Sequence, residues 1–336
     1  MRLGVLDIGS NSAQLLVVDA RPGAPPLPAH AVKEPTLLGE TIEPDGSIAE
    51  DGIQRVAEAV ARAVTAAQHH GVDQLYPFVT AAIRDATNRD EVIERIGQLA
   101  GVVPQFLSGQ QEARLTYLAV HRWYGWSAGR ILMLDIGGGS MEIVLGRDAE
   151  PELAVSLPLG AGRLTRQFLH DDPPAREQVK RLRKHVRDTL GEVADRLRWE
   201  GDARLVVATS KTFKQLARLA GAPPQRKGPF CQRALTIDDV HDWIPKLAAM
   251  PAAKRARLQG VSGPRARQIL AGAIIAHATM TALDVTELEV SPWALREGIV
   301  LQHLTTPAPS HHRDSAHDGC RPRAAREACR SPLFLR

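Results

Sequence analysis

Apolar positions along the chain fall into short, nearly continuous runs and longer stretches with helical spacing. The runs include Leu3–Leu6, Leu15–Val18, Leu75–Thr80, Val102–Leu107, Ile131–Leu134, Ile143–Leu145, Leu153–Leu159, Arg204–Ala208 and Leu288–Val290. Bounded by Gly, Pro, Asn and Ser, they predict strands, several of them buried on both faces. Helical spacing appears at Ile53, Val56, Val60 and Val64, and again at Val179, Leu182, Val186, Leu190, Val193 and Leu197. A third, very apolar segment runs from Ile269 through Ile274 and Ile275 to Leu283.

Helix starts are read at Ser47-Ile48-Ala49-Glu50, which has capping-box spacing and a stop at Gly71, and at Asn88, Ser108, Pro173-Pro174, Thr209 and Thr236. Pro292 to Gly298 leads into a final helix, while 21–28 and 222–233 read as loops. Strands alternating with helices predict an α/β fold.

One stretch occurs twice. Leu6-Asp7-Ile8-Gly9-Ser10-Asn11-Ser12 aligns with Leu134-Asp135-Ile136-Gly137-Gly138-Gly139-Ser140, and each is followed by a second apolar run. Two copies predict two facing halves, residues 1–124 and 125–304, with a junction at Gly125–Gly129. Beyond 304 the composition turns to Pro, His, Ser and Arg, so 305–336 is expected to be a disordered basic tail.

Glycines and small hydroxyl residues let a backbone approach an anion, and successive turn amides form a concavity for phosphate oxygens. An Asp beside such a turn repels phosphate unless a divalent cation bridges them. Either copy alone reads better as a plain hairpin with a glycine turn and a capping Asp. The repetition makes a metal-assisted phosphate clamp the stronger reading.

Other candidate groups lie around the repeat. Glu112 falls in the first turn of the helix opened by Ser108, where the dipole favours a carboxylate with or without chemistry. Glu142 lies on the strand leaving the second turn. Gly160-Ala161-Gly162-Arg163 lacks the third glycine of a dinucleotide fingerprint, and Ser210-Lys211-Thr212 opens a helix either as an anion site or as a plain cap.

Composition narrows the field. A chain of 336 residues with 44% hydrophobic content has material for two domains with proper cores. No run of eighteen apolar residues and no leader pattern occurs, so a cytoplasmic protein without membrane contact is expected. Three cysteines without paired spacing argue against a disulfide framework or structural zinc. Of the net charge of +4, three units fall in 305–336, so the body offers little general attraction for nucleic acid.

Taken in order, Asp7–Ser12, Thr80–Ala86, Ser108-Gly109 with Glu112–Leu115, Asp135–Glu142, Leu157–Thr165 and Leu295-Arg296-Glu297-Gly298 resemble the exopolyphosphatase and guanosine pentaphosphate phosphohydrolase (Ppx/GppA) family, within the sugar kinase, Hsp70 and actin superfamily. The resemblance implies two ribonuclease H-like (actin-like ATPase) domains with the site in the cleft between them. It further implies Mg2+-assisted removal of the terminal phosphate from inorganic polyphosphate, and a homodimer. Glu112 maps onto the family's catalytic glutamate. Asp7, Asp135 and Glu142 match its other site carboxylates and are expected to hold magnesium. Ser10, Asn11, Ser12, Gly138, Gly139 and Ser140 would cradle the chain end, and Arg84, Arg163 and Lys211 would offset its charge.

Two departures bear on this expectation. Gln110-Gln111 leaves one acid where many relatives have adjacent glutamates, and Glu112 is the one retained. Ser210-Lys211-Thr212 replaces a glycine-rich segment at the superfamily's nucleoside site, which favours polyphosphate over guanosine pentaphosphate or tetraphosphate. The chain also lacks the extra C-terminal domains of long family members, from which a preference for short polyphosphates is expected. The rival readings are a guanosine pentaphosphate phosphohydrolase, a kinase of the superfamily, and a non-catalytic sensor of polyphosphate or alarmones.

Overall fold

A computed structural model describes residues 1–21 and 23–305, so the expectation for the tail lies outside the described residues. The first sheet begins with β1 (Arg2–Ile8), β2 (Ser12–Asp19) and β3 (Pro28–Pro35). There follow α1 (Glu50–His69), β4 (Gln74–Val79), the short α2 (Ala81–Arg84), α3 (Arg89–Ala100) and β5 (Gln105–Phe106). After α4 (Gly109–Tyr124) comes the second sheet, opening with β6 (Ile131–Ile136), β7 (Met141–Gly146) and β8 (Leu153–Leu157). The chain continues through α5 (Ala161–Phe168), α6 (Arg176–Glu200), β9 (Leu205–Ala208), α7 (Ser210–Leu219) and β10 (Ala234–Thr236). It ends with α8 (Ile237–Ala248), α9 (Ala252–Arg255), α10 (Ile269–Ala282), β11 (Glu287–Val290) and α11 (Leu295–Thr305).

The sheets share one topology. The first runs β3-β2-β1-β4-β5 and the second β8-β7-β6-β9-β11-β10. In both, three antiparallel strands are followed by two parallel neighbours, and in the second sheet β10 adds an antiparallel edge. The repeated sequence is therefore a repeated substructure. In each copy four residues bridge a closed hairpin, between Ile8↔Ala13 and between Ile136↔Met141.

Strand parity then fixes what faces what, because alternate side chains leave a strand on opposite faces. Leu6, Ile8, Leu15 and Val17 pack under the first sheet against α1, while Val5, Leu16 and Val18 pack on its other face with Leu115 of α4 and Ile299 and Val300 of α11. In the second sheet Leu132, Leu134, Ile136 and Ile143 join the large core that includes α6 and α10, and Ile131, Met133 and Val144 pack against Ala113, Tyr117 and Val120 of α4. Burial on both faces explains why these strands read as continuous apolar runs. The helix α4 thus packs on both sheets, and α11 packs on α4 and the first sheet. The two helices cross closely at Gly298, where an added Cβ would sit 1.9 Å from the Leu115 carbonyl oxygen.

Local departures from expectation have simple causes. Ser47 does not cap α1: its hydroxyl bonds Asp45, and Ala49 occupies the cap position. The strand β3 was not expected, because its alternation is weak and its residues are mostly exposed at the sheet edge. The segment after β8, for which no helix was expected, forms α5. No helix among the described residues is long and apolar enough to cross a membrane.

Candidate functional site

The parity that builds the cores also gathers the acids. Asp7 shares the face of Val5, and Asp135 the face of Ile131 and Met133, so both point toward the side occupied by α4. Glu142 shares that face with Val144, directly across the ladder from Asp135. Glu112 is brought between the sheets because Ser108 starts α4 there. The Ser108 hydroxyl accepts from the Gln111 amide at 3.2 Å, and the Gln111 side-chain oxygen accepts from the Ser108 amide at 2.8 Å. A carbonyl oxygen closes this capping box as well as a carboxylate does, which accounts for glutamine beside the retained Glu112.

All four carboxylates line one cavity of about 370 Å³, within the size range of small-ligand sites. Ser10, Asn11, Ser12, Gly138, Gly139, Ser140 and Lys211 line it too. Of the expected site residues, Arg84 and Arg163 do not. Arg84 instead bonds Glu112 from behind at 2.9 Å, and Arg163 pairs with Asp85 beside a neighbouring cavity. Four further cations were missed and line the wall: Lys33 on β3, Lys214 on α7, Arg265 in the turn before α10, and Arg296 at the start of α11. Arg296 was visible within the Leu295–Gly298 motif; Lys33 needed the unexpected strand, and Arg265 needed the turn to fold back over the cleft.

The three glycines of the second turn have a packing reason. A Cβ at Gly138 would lie 2.3 Å from the Ser10 hydroxyl oxygen, and one at Gly139 would lie 2.7 Å from the Ala81 Cβ. The second turn therefore meets the first lobe backbone-on.

Electrostatically the cavity is split. Glu112 and Glu142 are only 7% and 5% exposed. Burial, followed by the Glu142 charge, raises the Glu112 carboxyl well above its ordinary range, while Arg84 pulls it back. Burial and Asp135 push Glu142 up to about 8, against hydroxyl bonds from Ser140 and Ser156. Burial brings Asp135 to about 6 despite a short hydrogen bond from the Thr209 hydroxyl, and it also raises Asp7. Opposite them, burial pushes Lys214 down to about 8 even with Glu297 nearby, and its ammonium donates to the Pro292 carbonyl at 3.2 Å. Buried carboxylates of which only Glu112 has a salt bridge among the described residues, beside cations that have none there, suit a ligand that is itself polyanionic and accompanied by a cation.

Two sheets of one topology, joined by α4 and α11 and facing each other through acid-bearing hairpin turns, define the actin-like ATPase fold. The exopolyphosphatase of Cytophaga hutchinsonii has this fold at a TM-score of 0.82 and 22% identity, over 90% of this chain and 98% of that one. Within the fold, this chain belongs to the Ppx/GppA phosphatase family, whose sequence model matches residues 16–306. Exopolyphosphatase 1 of Mycobacterium tuberculosis is 48% identical over 308 residues, covering 92% of this chain and 90% of that protein. The corresponding Mycobacterium leprae protein is 46% identical over 308 residues, covering 92% of this chain and 91% of that one. A Ppx/GppA family member from Aquifex aeolicus superposes at a TM-score of 0.73 with 28% identity, over 90% of this chain and 97% of the other.

Proposed function

We propose that the chain is an exopolyphosphatase, a hydrolase that removes the terminal phosphate from inorganic polyphosphate. The observation that carries this reading is the placement of Glu112, held by Arg84 in the wall of a cavity that carboxylates and cations line together. Water attacks the terminal phosphorus, Glu112 accepts its proton, and the bridging P–O bond breaks with its electrons leaving on the shortened chain. The products are orthophosphate and a polyphosphate one unit shorter. Turn amides and hydroxyls at Ser10, Asn11, Ser12, Gly138, Gly139 and Ser140 orient the chain end. Lys211, Lys33, Lys214, Arg265 and Arg296 offset the charge behind it, and so few cations match a short run of phosphates.

Mg2+ belongs to this reading. The donors are all carboxylate oxygens, and they repel one another without a counter-cation. Among the described residues no His, Cys, Asp or Glu cluster forms a ready-made cage. Mg2+ keeps several of its waters and takes one or two carboxylates plus phosphate oxygens. One or two of Asp7, Asp135 and Glu142 would hold it, and it would supply charge neutralisation on the transferred phosphoryl group.

The same water chemistry would serve guanosine pentaphosphate. Lys211 on the cavity wall, where a base would need an apolar surface, favours the inorganic chain. A homodimer in the cytoplasm is expected with this reading and is checked by light scattering and fractionation. The deciding assay is phosphate release from short polyphosphate with Mg2+ by wild type and Glu112→Gln, run beside guanosine pentaphosphate. The variant is expected to lose about a thousandfold in kcat with its fold intact. A variant retaining near-wild-type kcat would overturn the role of Glu112, and turnover of the nucleotide alone would overturn the substrate.

A further inference from the structure

Two arginines expected to face phosphate face protein, and between them stands an acid to which no role has been given. Arg84 ends α2 and donates from Nε to Asp85 Oδ1 at 2.9 Å. Its Nη1 donates to the Leu107 carbonyl at 3.0 Å and to Glu112 Oε1 at 2.9 Å. Arg163, on α5 in the other lobe, donates from Nε to the Gly139 carbonyl at 2.8 Å and from Nη2 to Asp85 Oδ2. Each carboxylate oxygen of Asp85 therefore holds an arginine from a different lobe. The links form one series, from the Gly139 turn through Arg163, Asp85 and Arg84 to Glu112, beside the point where that turn touches Ser10 and Ala81.

As a contribution to stability the series is modest. The Asp85 and Arg163 side chains are 38% and 28% exposed, and ion pairs so open to water contribute little net energy. Its value is directional. A guanidinium is a rigid planar fork, so fixing Nε on Asp85 fixes where Nη1 points. With Nε held, Nη1 aims at Glu112; with Nε released, the side chain is free to turn about its flexible stem.

We propose that Asp85 is a positioning residue that couples closure of the two lobes to alignment of Glu112. Arg163 reaches Asp85 only when the second turn rests on the first lobe. Asp85 then fixes Arg84, and Arg84 fixes the carboxylate that takes the proton from water. Lobes held apart admit a phosphate chain but leave Glu112 without its brace. This rests on the reading of Glu112 given above.

Two measurements test it. In steady-state phosphate release, Asp85→Ala and Arg163→Gln each lower kcat about tenfold with KM within about twofold, Asp85→Glu recovers part of the loss, and the double variant is no worse than the poorer single one. Raised KM with unchanged kcat would mean that the arginines act on substrate directly, and multiplying losses would mean that Asp85 and Arg163 act separately. Either result overturns the proposal.

The second measurement needs no activity. In full-length protein with Cys231, Cys320 and Cys329 replaced by serine, spin labels at Gln98→Cys and Lys180→Cys report the distance between lobes. Asp85→Ala is expected to lengthen and broaden that distribution without substrate, and an unchanged distribution overturns the coupling. If wild type releases no phosphate from polyphosphate while the distances still respond, the substrate reading fails and the latch stands.

Discussion

The turns at Gly9–Ser12 and Gly137–Ser140 share loop length, ladder register and an internal hydrogen bond, Gly9 to Ser12 at 3.1 Å and Gly137 to Ser140 at 2.9 Å. Their surroundings differ at the acid and at the two central turn residues. Asp135 accepts from Thr209 and lies opposite Glu142, whereas Asp7 has no hydrogen-bond donor recorded among the described residues and lies opposite Gln14. Ser10 and Asn11 present side chains where Gly138 and Gly139 present bare backbone. Duplication supplied the scaffold twice, and substitution left one copy wired to its own lobe and the other open to a ligand.

Making one turn resemble the other tests that contrast. The largest effect is expected from Gly138→Ala, whose methyl meets Ser10 and holds the lobes apart. We expect kcat/KM to fall about a hundredfold, since a misplacement near 1 Å costs about that much, with partial recovery in Gly138→Ala/Ser10→Gly, which also gives up the Ser10 hydroxyl. Failure of the second change to recover any kcat/KM would mean that the glycines serve something other than contact.

A smaller effect separates Thr209 from Thr80, which precede α7 and α2 at equivalent sheet positions. Thr209→Val removes a hydrogen bond to a buried carboxylate and should lower kcat/KM about tenfold. Thr80→Val should stay within about twofold by the same kinetics. Equal losses would erase the distinction between the turns.

Stability against pH follows from the raised carboxyls. Between the ordinary carboxyl range near 4 and the raised values of about 6 for Asp135 and about 8 for Glu142, the folded chain binds more protons than the unfolded one. Metal-free protein should therefore lose stability as pH rises from about 5 to about 8. Glu142→Gln, which copies Gln14 of the first turn, should flatten that slope and raise Tm by a few degrees at its upper end. Calorimetry in chelator measures both.

The smallest effect concerns Ser210, which adopts φ 75° in the left-handed region, whereas Ala81 at the matching position of the first lobe does not. Ser210→Gly relieves a cost of about 1–2 kcal/mol and should raise Tm by a few degrees at most, read by thermal melting. An unchanged or lowered Tm would mean that the serine side chain makes up for its backbone.

These contrasts show what one sequence can carry. The paired strand–turn–strand units and the position of Glu112 at a helix start were legible because period, parity and capping are local. Asp7, Asp135 and Glu142 could be placed on one side by counting alternate residues. The partners of Arg84 and Arg163 were not legible, since Asp85 and Arg163 lie far apart in the chain and meet only through lobe closure. The wall cations were hidden for a related reason: Lys33 and Arg265 sit on an irregular edge strand and a short turn, where periodicity carries no signal. Gly138 was readable as a permissive residue, but not as a contact point.

The crossing at Gly298 places a tolerance limit on a residue that does not itself line the cavity. Its neighbour Leu115 lies one helical turn from Glu112 on α4, and its own helix carries Arg296 into the cavity wall. A methyl inserted there would act as a shim between two levers, shifting a base and a cation together while each lobe kept its own core. The spacing between Glu112 and Arg296 across the proposed site thus depends on the absence of one side chain where α4 meets α11. A fault there would look like a catalytic lesion with no altered catalytic residue.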